Sequence, residues 1–268
     1  MKVVIFCGGL GLRMREASAL LPKPMVPLGQ RPILWHIMKY YSSFGCTDFV
    51  LCLGYRGELV KEYFLGYNEA LSNDFVLRNG GKSVELLSTD AHDWSITFVD
   101  TGLNSSIGER LARVQPYIND DDVFLATYGD GLTDAPLRHT IDTLLASDSA
   151  ALFMCVRPTN AFHIVSLDSS GKVERIRDAR QADLWINGGY FVFRPEVFDY
   201  LRPGEDLVDH AIPRMIADDK VLAYPYEGFW APMDTLKDKQ VLEGLLEAGD
   251  PPWSRPHGLA QDTAITPL

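Results

Sequence analysis

The chain has 268 residues, 46% of them hydrophobic, and a formal net charge of −11. That is ample apolar material for a core, and the acidic balance excludes the clustered Lys/Arg surface that nucleic acid requires. No apolar run approaches the ~20 residues of a bilayer span, and glycines follow the first short strand too soon for a signal peptide, so no membrane partner is expected.

The first strand-like run, near 2–7, feeds directly into glycines. Further apolar runs near 48–53, 95–99 and 123–128 alternate with helix-period segments near 31–44, 56–67, 107–117 and 135–147. Such alternation predicts an α/β fold: a Rossmann-like, mostly parallel twisted sheet flanked by helices. The second half is richer in strands, near 150–157, 162–167, 172–177 and 186–193, with Ser169-Ser170-Gly171 as a hairpin turn. Helices follow near 206–217 and 235–248. No linker marks a boundary, which gives one domain over 1–250. The Pro-rich tail, 251–268, lacks periodicity and reads as loosely packed. Cys7, Cys46, Cys52 and Cys155 show no CxxC spacing and sit mostly in apolar runs, which predicts buried thiols in a reducing cytoplasm. The histidines form no metal-binding pattern.

In such sheets ligands gather at the carboxyl ends of strands. Gly8-Gly9-Leu10-Gly11-Leu12-Arg13 follows the first strand and Tyr128-Gly129-Asp130-Gly131 the fourth, so both fall on that edge. The first segment is neither a dinucleotide G-x-G-x-x-G nor a Walker loop. It reads as an anion cradle, since glycine lets backbone N–H groups come close to phosphate. Pro22 and Pro24 flank Lys23, fix φ on both sides and hold its neighbours extended, which suits a lysine that must be aimed. Asp130 and Asp234 are hard oxygen ligands of the kind Mg²⁺ takes together with substrate phosphates. Asp234 has a competing reading as the N-cap of the helix that follows. Asp120-Asp121-Asp122 reads as a solvated turn.

In chain order, G-G-L-G-x-R, P-K-P-M, R-P-I-L-W-H-I-M-K, D-T-G, Y-G-D-G, I-N-G-G-Y-F-V and G-F-W-A-P-M-D-T-L-K-D-K resemble the sugar-1-phosphate nucleotidylyltransferases. Ile33-Leu34-Trp35-His36 and Phe229-Trp230-Ala231-Pro232-Met233-Asp234 are most similar to the cytidylyl branch. The resemblance runs from Met1 to about Trp253. It implies that CTP and a sugar 1-phosphate, foremost α-D-glucose 1-phosphate, give a CDP-sugar and pyrophosphate. Phe6, Cys7, Gly8, Gly9, Leu10, Gly11, Leu12 and Arg13 would frame the nucleotide, with Lys23, Ser105, Arg110 and Gly129. Arg13, Lys23 and Asp130 would carry the chemistry. Asp130 and Asp234 would hold Mg²⁺. The smaller β-rich portion would bind the sugar through Asp178, Arg180, Asn187 and Gly188. The resemblance also implies a homo-oligomer.

The chain departs from the family pattern at several points. Leu12 stands where a Thr is usual, and Glu109 lies beside Arg110. The family's Glu-Lys-Pro reads Asp178-Ala179-Arg180, so its lysine position is Ala179, with Arg175, Arg177 and Arg180 nearby. A usual Phe-Gly is Phe162-His163. These departures leave two rivals open: another sugar phosphate or nucleotide, and a nucleotide sensor without turnover. The chemistry itself calls for no general base. A phosphate oxygen with a second pKa near 6 is already ionised at neutral pH, and no Ser-His or His-carboxylate constellation is evident.

Overall fold

The structure, a computed structural model, describes residues 1–9, 21–118, 121–159 and 162–258. Seven strands form its central sheet: β1 (Lys2–Phe6), β2 (Asp48–Leu53), β3 (Ser95–Asp100), β4 (Phe124–Tyr128), β5 (Ala151–Val156), β6 (Ile186–Phe193) and β7 (Val221–Tyr226). Their order is β7-β5-β6-β4-β1-β2-β3. All pairings are parallel except those of β6, which runs antiparallel to both β4 and β5. The α/β sheet expected from the alternation is therefore present. β7 was not anticipated. It is an edge strand carrying Pro225, a residue that a central strand would exclude.

The flanking helices are α1 (Ile33–Ser43), α2 (Gly57–Leu65), α3 (Ile107–Val114), α4 (Leu137–Leu145), α5 (Ile212–Ala217) and α6 (Leu236–Glu247). Side chains of β1 alternate between two cores. Val3 and Ile5 join Ile33, Ile37 and Phe49, whereas Val4 and Phe6 join Leu111, Phe124 and Phe191. Burial on both faces explains why β1 reads as an unbroken apolar run. Among the described residues no helix is long and apolar enough to cross a membrane.

Two smaller features matter for the site. His163–Leu167 and Val173–Asp178 form a hairpin around the Ser169–Gly171 turn, where the Asp168 carboxylate accepts the amides of Ser170 and Lys172. The other feature is the start of the tail, which is not loose. Trp253 is 3% exposed, packs on His36 and Phe229, and donates from Nε1 to His36 Nδ1 at 3.3 Å. His257 lies 3.3 Å from the Asp134 carboxylate. A short Pro-rich stretch without periodicity conceals one large aromatic anchor.

Candidate active site

The strand order turns at β1: the chain moves to β2 and β3 on one side, and β4 lies on the other. Ligands are expected outside the carboxyl ends at such a switch. Phe6 of β1 is level with Cys52 of β2 and Tyr128 of β4. The turns after these residues open onto two adjoining clefts. One, of about 300 Å³, is lined by Phe6, Gly8, Gly9, Lys23, Ser105, Arg110, Gly129 and others. The second, of about 290 Å³, includes Asn187, Gly188, Tyr190, Trp230 and Asp234. Tyr128 and Asp130 border both.

Asp130 and Asp234 are far apart in sequence and meet through a short antiparallel pairing. Gly131–Thr133 pairs with Trp230–Pro232, Gly131 opposite Pro232, and Met233 N–H donates to the Asp130 carbonyl at 2.8 Å. The two carboxylates converge on one ammonium. Lys23 Nζ donates to Asp130 Oδ2 at 2.6 Å and also to Asp234 Oδ1. Burial pulls the Lys23 pKa down, but the two carboxylates outweigh it and hold it above its ordinary value, so the lysine stays charged.

The local backbone aims this lysine. Pro22 is extended, while Lys23–Met25 close into a single 3₁₀ turn with Met25 N–H on the Pro22 carbonyl. The extended strap anticipated around Lys23 thus holds only on its N-terminal side. The N-cap reading of Asp234 is overturned. Thr235 caps α6 and exchanges bonds with Asp238, which leaves Asp234 facing Lys23. Glu109, the acid beside Arg110, has a comparable explanation: it closes a capping box with Ser106 at the start of α3.

Arg110 is 3% exposed. It donates to the carbonyls of Gly8 at 3.1 Å, Leu53 at 3.2 Å and Leu103 at 3.3 Å, and to Thr101 Oγ1 at 2.7 Å. It therefore ties together the turns after β1, β2 and β3 from beneath the cleft. A Cβ on Gly8 would lie 1.9 Å from Arg110 Nη1, so glycine here makes room for the guanidinium. Ser105 lines the same cleft, with its hydroxyl donating to the Thr101 carbonyl at 2.5 Å. Cys7 does not line it. Its side chain is 1% exposed in the core, burial pushes its thiol up, and its N–H is taken by the Cys52 carbonyl. Leu10, Gly11, Leu12 and Arg13 lie outside the described residues.

In the second cleft the Asn187 Oδ1 accepts Gly189 N–H at 2.8 Å, and the same side chain hydrogen-bonds the Tyr128 hydroxyl. Gly189 has φ +78°, and a Cβ there would strike the Tyr128 ring, so only glycine fits this start of β6. Trp230 Nε1 and Tyr190 Oη are satisfied by the Gly188 and Gly131 carbonyls, so both rings offer apolar faces. Asp178 and Arg180 lie apart from this lining. They bond to each other, and Arg180 holds the Asp178 carboxyl at about 2. Sequence reasoning missed Tyr128, Trp230 and Asp206. The last borders the first cleft while its carboxylate accepts Ile107 and Val208 N–H groups. Tyr128 and Trp230 stand inside the Y-G-D-G and G-F-W-A-P-M-D motifs, whereas Asp206 carries no recognisable signal.

The sequence profile of the nucleotidyl transferase family matches residues 2–238. The chain belongs to that family. Among its family relatives is a glucose-1-phosphate cytidylyltransferase of Salmonella typhi, 40% identical over 255 residues that cover 94% of this chain and 98% of that one. A mannose-1-phosphate guanyltransferase of Yarrowia lipolytica is 25% identical, covering 91% of this chain and 63% of that one. The solved structure of HddC from Yersinia pseudotuberculosis has a TM-score of 0.64 at 19% identity, with 91% and 99% coverage, and shares the fold.

Proposed function

We propose that this chain is a cytidylyltransferase joining CTP to a sugar 1-phosphate, foremost α-D-glucose 1-phosphate, with release of pyrophosphate. One observation carries the reading: Lys23 is gripped by Asp130 and Asp234 where a nucleotide-sized cleft meets a second cleft walled by aromatic rings. The 40% identical relative supports cytidine and glucose as the substrates.

The residues do the work electrostatically. Two anions must meet and a third must leave, and the acceptor oxygen needs no deprotonation. Lys23 places a fixed positive charge against the α-phosphate, with Arg13 assigned to the leaving pyrophosphate. Backbone at Gly8 and Gly9 can approach the phosphates closely, with Phe6, Gly129 and Ser105 bordering the nucleoside. Arg110 holds the turns that make this wall. The ring faces of Tyr128, Tyr190 and Trp230 suit the C–H face of a hexose, oriented by Asn187 and the Gly188 backbone. Arg180, held by Asp178, walls the neighbouring cavity on the sugar side.

Two carboxylates already converging on one cation are a donor set that fits Mg²⁺. No third His, Cys, Asp or Glu joins them among the described residues, so water and phosphate oxygens would complete the shell. When bound there, Mg²⁺ supplies further neutralisation of the phosphates.

We infer a homo-oligomer, in keeping with the exposed apolar stripe of Val165, Leu167, Val173 and Ile176 on the 163–178 hairpin. We also infer a cytoplasmic protein, in keeping with four free, buried cysteines, and one domain over 1–250 against which the start of the tail packs.

Pyrophosphate release from a panel of nucleoside triphosphates and sugar phosphates, with and without Mg²⁺, tests the reaction. CTP with glucose 1-phosphate should turn over fastest and require the divalent ion, and Asp130→Ala should abolish turnover. Inertness of this pair while another is consumed would overturn the substrates. Nucleotide binding without any turnover would favour the sensor.

A further inference from the structure

The acceptor is a phosphate dianion that must settle beside two carboxylates. The described lining of the acceptor cleft, which includes Asp130, Asp234, Asn187 and Trp230, contains neither Lys nor Arg. Lys23 is the near cation, and it is engaged by both carboxylates on the nucleotide side. Lys23, and Mg²⁺ when bound, would offset the carboxylates at the junction, and the acceptor dianion still calls for a positive group on its own side.

Thr159 and Pro232 border both the acceptor cleft and a neighbouring cavity of about 470 Å³. That cavity is walled by Thr235, Lys237, Asp238, Val241 and Leu242 of the α6 end and by Arg180 opposite. Its charged groups differ in availability. Arg180 is clamped on Asp178, with Nε 3.0 Å from each carboxylate oxygen. Asp238 accepts the amides of Asp234 and Thr235 and is fixed in the helix cap. Lys237 has no ion-pair or hydrogen-bond partner among the described residues and is exposed. It sits on the first turn of α6, three residues after Asp234, and its flexible four-carbon stem lets the ammonium follow a bound anion.

We propose that Lys237 is the cation that binds the phosphate of the acceptor sugar. The assignment rests on the proposed reaction, since it takes the second cleft as the acceptor site. Lys237 thereby offsets the carboxylates on the acceptor side as Lys23 does on the nucleotide side. Asp234, between them, belongs to both arrangements.

Steady-state kinetics of Lys237→Ala test this, with glucose 1-phosphate and CTP varied separately. The KM for the sugar phosphate should rise about ten- to a hundredfold, the effect of losing one charge-assisted bond. The KM for CTP should stay within about twofold and the melting temperature should not move, as for an exposed side chain. Lys237→Arg should restore most of the affinity. Lys239→Ala is the matched control, since Lys239 is paired with Glu243, and should leave both constants unchanged. An unchanged KM for the sugar phosphate in Lys237→Ala, or an equal loss for CTP, would overturn the assignment. Should the wild-type chain turn over no pair at all, the proposed reaction itself fails. Equilibrium binding of glucose 1-phosphate then decides for Lys237: weaker binding by Lys237→Ala sustains it, and equal affinity, including none, refutes it.

Discussion

Gly8 can be tested as a partner of Arg110. Its φ is open to any residue, so alanine meets no backbone strain there. The obstacle is steric: the new Cβ would lie 1.9 Å from Arg110 Nη1 and 2.2 Å from Cζ. The guanidinium must then move and give up its bonds to Gly8, Leu53 and Thr101. Hydrogen bonds from a charged donor are worth about 1.5–3 kcal/mol each, and Leu53 O keeps Thr101 N and Oγ1 as partners, so Gly8→Ala should cost about 3–5 kcal/mol. Arg110→Ala alone should cost a similar amount, through the vacated volume and the Gly8 carbonyl left short of a partner. In the Arg110→Ala background the same Gly8→Ala change meets empty space and should cost under ~1 kcal/mol. Equilibrium unfolding of the four proteins should therefore give a coupling energy of at least ~2 kcal/mol, with single-variant melting temperatures lower by roughly 10 °C. Additive losses within about 0.5 kcal/mol would sink the reasoning and return Gly8 to a direct phosphate role.

Lys23→Met should lower kcat by about two to three orders of magnitude while the melting temperature in Mg²⁺ moves by only a few degrees; a collapsed melt with normal turnover per folded molecule would make the lysine structural. Trp253→Ala should lower stability by about 3–4 kcal/mol, read by denaturant midpoint, and a loss under ~1 kcal/mol would deny the tail its anchoring part. His36 predicts a pH dependence. Burial, and then Arg31, lower its pKa below the ordinary 6.5, and both ring nitrogens serve the neutral form, with Nε2 donating to the Leu28 carbonyl and Nδ1 accepting from Trp253. The unfolded chain therefore binds the proton more readily. The His36 contribution is full above pH ~6.5 and shrinks as pH falls toward the folded value. His36→Gln should flatten the stability profile over that window, and an unchanged slope would count against it. Asn187→Asp keeps the acceptor for Gly189 N–H but removes the amide donors beside Tyr128, so kcat/KM for the sugar phosphate should fall about tenfold or more while the KM for CTP holds. A parallel rise in the CTP constant would show that the two clefts are not separate.

Much of this site was legible because its parts obey local rules. β1, β2 and β4 are buried on both faces and so appear as continuous apolar runs followed by ligand-edge turns. Lys23 stood out between prolines, and Asp130 between glycines. What stayed hidden depends on distant partners. Pairing of Gly131–Thr133 with Trp230–Pro232 brings Asp130 to Asp234, and no periodicity in either segment reveals it. The resemblance implied that Arg110 touches nucleotide. Arg110 lines that cleft, and its four protein bonds also make it a clamp beneath the loop, a part that stayed hidden because a glycine kept for a side chain and one kept for a phosphate look alike in sequence. Glu109 seemed a foreign acid until its partner Ser106 showed a helix cap. β7 escaped notice because Pro225 argues against a strand unless the strand is at an edge.

The antiparallel course of β6 is what sets the two clefts of the proposed reaction apart. Were β6 parallel to β4, its carboxyl end and following turn would crowd the edge already used by β1, β2 and β4. Reversal brings its first residues there instead: Asn187 and Gly188 meet that edge from the β5 side, and Gly189 passes close under the Tyr128 ring. The first cleft is thus lined by turns that leave strands, and the second adds the segment that enters β6. Among the described residues only Tyr128 and Asp130 border both. Displacement at phosphorus needs the attacking and leaving oxygens on opposite sides of the reacting atom. Two clefts that meet at one strand end, with Lys23 and two carboxylates at the junction, provide that opposition from the backbone topology. In the proposed reaction the side chains then have charge left to balance, and the ionised acceptor phosphate calls for no base.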